Sequence, residues 1–368
     1  MRRIALCTAA SSMALSLTAC GALGVSGDSA DASPTKGNDV TVGVLMPETT
    51  NTRYENFDYP IIQKKVSELT KKLGQTVYAN GEADAKKQAT QMQKMIDDKV
   101  DVILLDAVDS HAIAPTVKKA KAAGIPVIAY DRLAEGPIDA YVSFDNELVG
   151  EVQGRTLIES LGSGLDTSDK IVMLNGSPSD PNAGQFKAGA LSELNGKVTI
   201  SAKYDVDGWK PATAKKDMAA AIASIGKDNI AAVYSANDAM AGAAIEAMEE
   251  AGMTDLPPIT GQDAELDAVQ RIVTGEQYMS VYKSYPLEAE AAAEMAVAKV
   301  QGKDILFDSL TQDRVDSPTD KEIPAQLVSV SALTQSNIKR TVVADGIYTV
   351  KQICTAKIAS ACAAIKLN

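Results

Sequence analysis

DVILLDAVDSHAIAPTVKKAKAAGIPVIAYDRLA, residues 101–134, decides the fold. The stretch opens on an apolar run at 102–105, continues through a helical pattern over 112–123, turns at Gly124 and closes on a second apolar run at 127–130. Both runs are apolar throughout, the signature of strands covered on two faces. Strand, helix and strand with short connections make a parallel pair joined by a right-handed crossover. The second run delivers Asp131 and Arg132 to its carboxyl end, where open parallel sheets hold their ligands.

The same rhythm extends both ways. Upstream, strands are expected at 41–45 and 76–79 and helices at 57–73 and 83–98. Downstream, strands at 140–144, 171–174, 198–204 and 231–234 alternate with helices at 148–161, 182–194, 212–225 and 239–251. A further helix, a strand at 278–281 and another helix occupy 263–301, and a last segment from 326 leads to the C-terminus. Two such series, each with its own sheet, predict an α/β protein of two doubly wound parallel-sheet lobes. A length of 368 residues fits two domains.

Composition removes several function classes. Hydrophobic residues at 45% and charged residues at 23% describe a globular chain. The 36 Lys and Arg against 48 Asp and Glu give a net charge of −12, a poor match to nucleic acid. His111 is the only histidine, so His-rich metal sites are out and a His-dependent triad has little to work with. Following Asp109 and Ser110, it reads as a surface or capping residue. Glycine-rich phosphate loops are lacking, and no metal or cofactor is expected.

The N-terminus reads as a targeting segment. Met1-Arg2-Arg3 precedes an apolar run over 4–17, too short for a membrane span. Leu17-Thr18-Ala19-Cys20 looks like a bacterial lipobox, with cleavage before Cys20 and lipid on its thiol; an ordinary secretory signal is the alternative. Residues 1–19 are then the signal peptide, and 20–39 the lipidated cysteine with a flexible tether rich in Gly, Ser, Ala and Asp. That places the folded body outside the cytoplasm, on the outer face of the membrane. Cys354 and Cys362 remain, eight apart, and an exported protein permits a disulfide between them. Eight helical residues rise about 12 Å, so a bridge requires a turn; two free thiols are the alternative.

Polar and charged residues collect after the strand ends. Arg53 and Tyr54 follow the first strand, Asp131 and Arg132 the fourth, Asn182 the run ending at Leu174, and Trp209 the run ending at Tyr204. Asn237, Asp263 and Lys283 follow later strands. Planar amides, carboxylates and guanidinium groups make geometrically selective hydrogen bonds, and an aromatic face packs against an apolar ring face.

The stretches AYDRLA (129–134), YVSFDNELVGEVQG (141–154), NGSPSDPNAGQF (175–186), DGWKPATA (207–214), SANDAMAGAAI (235–245), GQDAEL (261–266) and VYKSY (281–285) carry a resemblance. From about residue 40 onward the chain resembles the type I (ribose-binding-like) periplasmic sugar-binding proteins of ABC importers, and within them the D-xylose-binding members. The resemblance implies that Arg53, Tyr54, Asp131, Arg132, Asn182, Trp209, Asn237, Asp263 and Lys283 contact a monosaccharide, with Trp209 as stacking platform and Lys283 reaching in from the first lobe. Tyr54, where the family often has Trp, and Pro181 before Asn182 depart from the pattern. The resemblance further implies a hinge of three segments near 144–146, 261–263 and 325–328. Lobe one then comprises 40–145 and 264–326, and lobe two 146–263 and 327–368. A monomer that closes on an aldose and hands it to a membrane permease is the implied function, with sensing through a membrane receptor as the alternative. An enzyme using Asp131 and Asp263 as a carboxylate pair is disfavoured, because no nucleophile motif accompanies them.

Overall fold

The computed structural model describes residues 36–367. The signal segment, Cys20 and the tether up to residue 35 lie outside the described residues. In chain order the strands are β1 (Thr41–Met46), β2 (Gln75–Asn80), β3 (Val102–Leu105), β4 (Val127–Tyr130), β5 (Ala140–Phe144), β6 (Lys170–Asn175), β7 (Thr199–Asp205), β8 (Ile230–Ser235), β9 (Ser280–Lys283), β10 (Asp313–Val315), β11 (Ile323–Val328) and β12 (Val330–Leu333). The helices are α1 (Tyr59–Leu69), α2 (Ala85–Asp97), α3 (Ala114–Ala122), α4 (Asn146–Leu161), α5 (Pro181–Leu194), α6 (Pro211–Ile225), α7 (Asp238–Glu250), α8 (Leu266–Thr274), α9 (Tyr285–Val300), α10 (Asp304–Leu310), α11 (Val350–Ile353) and α12 (Ala359–Ala364).

One sheet runs in the order β10-β11-β5-β4-β3-β1-β2. Every pairing in it is parallel except β10 with β11. Alternate residues of a strand face opposite sides. Val42, Val44, Val102, Leu104 and Ile128 therefore pack with α1 and α9 on one side, while Leu45, Ile103, Leu105, Val127 and Ala129 pack with α2 and α3 on the other. The apolar runs that fix the fold are thus covered twice, as parallel strands require.

The second sheet has β6 between β7 and β8, all parallel. Single bridges from Val233 to Ile259 and from Gln262 to Val281 continue it to β9, which pairs antiparallel with β12. Its covering helices α4 and α5 meet backbone to backbone. A Cβ on Gly150 would stand 2.0 Å from the Phe186 carbonyl oxygen, and one on Gly189 2.0 Å from that of Glu147. Only glycine permits this approach.

The chain passes between the sheets at Asp145, at Ser284 and at Ser329, the residues that separate β5 from α4, β9 from α9 and β11 from β12. The second passage was expected at 263/264 and lies some twenty residues later in the chain. The reason is pairing: β9 bonds to β12 and bridges to Gln262, and α8 packs through Val269, Ile272 and Val273 against Ile338 and Val342 of the C-terminal segment. Lys283 accordingly ends a strand of the second sheet, not of the first. A disulfide joins Cys354 to Cys362 across the turn between α11 and α12. Among the described residues, no helix is long and apolar enough to cross a membrane.

Candidate functional site

The carboxyl ends of strands from both sheets converge on one small cavity, part of it open to solvent. Arg53, Tyr54, Asp131, Arg132, Asn182, Trp209, Asn237, Asp263 and Lys283 all line it. His111 does not: its ring is exposed and its Nδ1 stands 2.9 Å from a carboxylate oxygen of Glu135.

The first sheet contributes a fixed, ion-paired wall. Arg53 precedes a π-helical turn over Tyr54–Asp58 that opens into α1. Its guanidinium is buried and held by three carboxylates, with Nε 2.8 Å from Asp58 Oδ2, Nη1 2.7 Å from Asp131 Oδ2 and Nη2 2.5 Å from Glu288 Oε2. Tyr130 donates to the other oxygen of Asp58 at 2.6 Å. Asp131 follows β4 at φ +55°, which turns its carboxylate into the cavity. Burial pushes this carboxyl up, but Lys283, Arg53 and Arg132 outweigh it and hold Asp131 below the ordinary range, so it stays an ionised acceptor.

The second sheet answers across the cavity. Asn182, in the first turn of α5, donates through Nδ2 to the Asp131 carbonyl at 3.0 Å and to Oδ1 at 3.1 Å. Arg132 Nε lies 3.0 Å from Asp180 Oδ2, and the Trp209 indole N–H donates to the same oxygen at 3.1 Å. Lys283 Nζ is 2.9 Å from Asp263 Oδ1 and 3.9 Å from Asp131 Oδ2. These bonds join groups from both sheets, so the structure is closed over the cavity.

Trp209 sits at φ +57° immediately after Gly208 at +65°, and Asp263 stands at +94°. Together with Asp131, three cavity-lining side chains occupy backbone conformations that cost about 1–3 kcal/mol each. Strain of this kind persists where the surroundings over-determine it. For Trp209 they do: its ring lies against Gly176, edge-on to Phe186 at 6.3 Å between centroids, with its N–H held by Asp180.

Sequence reasoning did not single out Glu48, Thr50, Asn51, Asp180, Phe186 and Gln262, which also line the cavity. Asn51 Nδ2 donates to Asp263 Oδ2 at 2.7 Å, and Gln262 Oε1 is buried without a hydrogen-bond partner. Glu48, Thr50, Asn51 and Asp180 follow strand ends, which was the available signal, whereas Phe186 lies within α5. Asp180 and Glu48 are masked because they also bond nearby backbone, Asp180 accepting from Asn182 N at 2.9 Å and Glu48 from Asn51 N at 3.1 Å. Asp58 and Glu288, behind Arg53, gave no signal at all. Among the described residues no cluster of His, Cys, Asp and Glu is arranged to hold a metal ion.

A two-sheet α/β body with its polar groups at the strand ends between the sheets is the architecture of a periplasmic binding protein. The sequence profile of the periplasmic binding protein domain matches residues 42–304, and the chain belongs to that family. It is similar to the D-xylose-binding periplasmic protein of Escherichia coli, at 35% identity over 84% of this chain and 91% of that one. The multiple sugar-binding periplasmic receptor of Rhizobium radiobacter is 30% identical over 92% of this chain and 99% of its own. Among solved structures, an ABC transporter solute-binding protein from Clostridium phytofermentans with bound β-D-glucose superposes with a TM-score of 0.78 at 26% identity, covering 85% of this chain and 99% of that one.

Proposed function

We propose that this protein is an extracytoplasmic solute-binding protein, anchored through lipid on Cys20, that captures a monosaccharide between its lobes and delivers it to an ABC permease. The observation that carries the reading is the cavity itself, where carboxylates, amides, cations and an indole from both sheets face one small space between the sheets. Each of these groups suits a hydroxylated ring: carboxylates and amides take hydroxyl hydrogens, guanidinium and ammonium groups donate to hydroxyl oxygens, and Trp209 offers an apolar face. Similarity to D-xylose-binding proteins makes D-xylose or a related aldose the ligand of choice. The receptor-like relative that binds multiple sugars favours a second reading, a broader range of aldoses.

In this reading Asp131, Arg132, Arg53 and Tyr54 from one lobe, and Asn182, Trp209, Asn237, Asp263 and Lys283 from the other, all bond the ring. Opening at Asp145, Ser284 and Ser329 separates the two sets. A ligand that touches both is bound more tightly by the closed form and shifts the population to it.

A thermal-shift panel on residues 39–368 with xylose, glucose, galactose, arabinose, ribose and xylobiose tests the proposal. Ligand at a hundredfold excess over its dissociation constant adds about 2.7 kcal/mol of stability. A rise in melting temperature with xylose or another aldose is expected; no rise with any sugar refutes it.

A further inference from the structure

Asp106 follows β3 directly and is completely buried, yet neither carboxylate oxygen has a hydrogen-bond partner. Its nearest cation is Arg132, whose Nε stands 3.6 Å from Asp106 Oδ1 and only 3.0 Å from Asp180 Oδ2. Arg132 Nη1 donates to the carbonyl of Ala107 at 3.1 Å, which tethers the guanidinium beside Asp106. One N–H thus stands between two carboxylates from opposite lobes, and in the closed structure the distant lobe's carboxylate holds it.

We propose that Asp106 opposes closure and thereby limits the affinity of the site: it is the first-lobe partner to which Arg132 returns when Asp180 leaves. When the lobes part, Asp180 departs with α5, the Nε–H turns to Asp106, and water enters the cleft to hydrate the freed carboxylate. Closing reverses both changes and leaves Asp106 dry and without a hydrogen bond, the costly state for a carboxylate. The groups that face it are Arg132 and Arg53, which favour its charge, and Asp131 and Asp180, which oppose it. The Tyr54 phenol also lies within its field. In the closed structure burial pushes the Asp106 carboxyl well above the usual carboxylate range, the mark of a charge held at a cost.

The inference rests on the proposed sugar site and has its own test. Calorimetric titrations of D-xylose into the parent and Asp106→Asn at pH 7 read the affinity. Asp106→Asn is expected to bind about tenfold more tightly, because the amide loses the buried charge at nearly constant shape. Asp180→Asn, which removes the competing partner, is expected to bind more weakly. X-ray scattering of the sugar-free proteins adds a reading that needs no ligand, with Asp106→Asn more compact than the parent. Equal or weaker binding by folded Asp106→Asn overturns the proposal; where that variant does not fold, Asp106→Ser is titrated in its place and the same outcome overturns it. If the parent binds no sugar, the functional reading fails instead, and an unchanged radius of gyration then overturns this one.

Discussion

Replacement of Gly176 by alanine tests whether the placement of Trp209 governs binding. A Cβ on Gly176 would stand 2.1 Å from the indole Cη2 and 2.2 Å from Cζ2, whereas ordinary contact begins at 3.4 Å. The six-membered ring must therefore retreat by about 1.3 Å. It cannot do so freely, since Asp180 holds the indole N–H and Phe186 abuts the ring. Movement breaks the hydrogen bond to Asp180, which also grips Arg132, and misplaces the apolar face offered to the ring. Loss of a hydrogen bond to a charged group costs about 1.5–3 kcal/mol, or roughly ten- to a hundredfold in affinity. The assay is calorimetric titration of D-xylose into Gly176→Ala, with Gly184→Ala as control because a Cβ there meets no atom within 4 Å. The control should match the parent. Gly176→Ala with parental affinity would refute the claim that the ring's position sets binding.

Other outcomes follow from packing, covalent and electrostatic features. Gly150→Ala drives a Cβ into the Phe186 backbone between α4 and α5, and should cost about 3 kcal/mol in urea unfolding at unchanged slope; a loss under about 0.5 kcal/mol would contradict the backbone contact. Cys354→Ser with Cys362→Ser removes the C-terminal bridge and should lower stability by roughly 2–3 kcal/mol, seen as a lower melting temperature; an unchanged melting temperature would place that segment outside the cooperative unit. Burial pushes Asp238, beneath the Gly261 turn, up to about 7 from its usual 3.8, Arg271 opposing. A group raised in the folded state contributes stability below its unfolded value and loses it as pH climbs through the folded one. Asp238 thus favours the fold at pH 4 and ceases to by about pH 7, and Asp238→Asn should flatten that part of the stability–pH curve. Parallel curves for parent and variant would refute the assignment.

Much of this architecture is readable before any coordinates. Runs such as 102–105 and 127–130 are short, apolar on both faces and punctuated by Gly124, so strand identity and parallel pairing follow from burial alone. The site is readable for the same reason, since ligand groups must follow strand ends and polar residues collect there. What the linear pattern hides is partnership. Strand 280–283 carries no mark of which sheet it will join, and only its pairing with β12 and Gln262 moves the crossing to Ser284. Asp180 looks like a helix cap and is one, while its second oxygen holds Trp209 and Arg132. Asp58 and Glu288 lie on helical segments where acids are ordinarily solvated, and nothing local reveals that both turn inward to Arg53.

The most direct measurement is a crystal structure grown with D-xylose. The account predicts one sugar ring inside the cavity, bonded to Asp131 and Arg132 from one lobe and to Asn182, Asn237 and Asp263 from the other, with Trp209 against a ring face. Xylose bound outside the cavity, or an empty cavity in crystals saturated with the sugar, would contradict it.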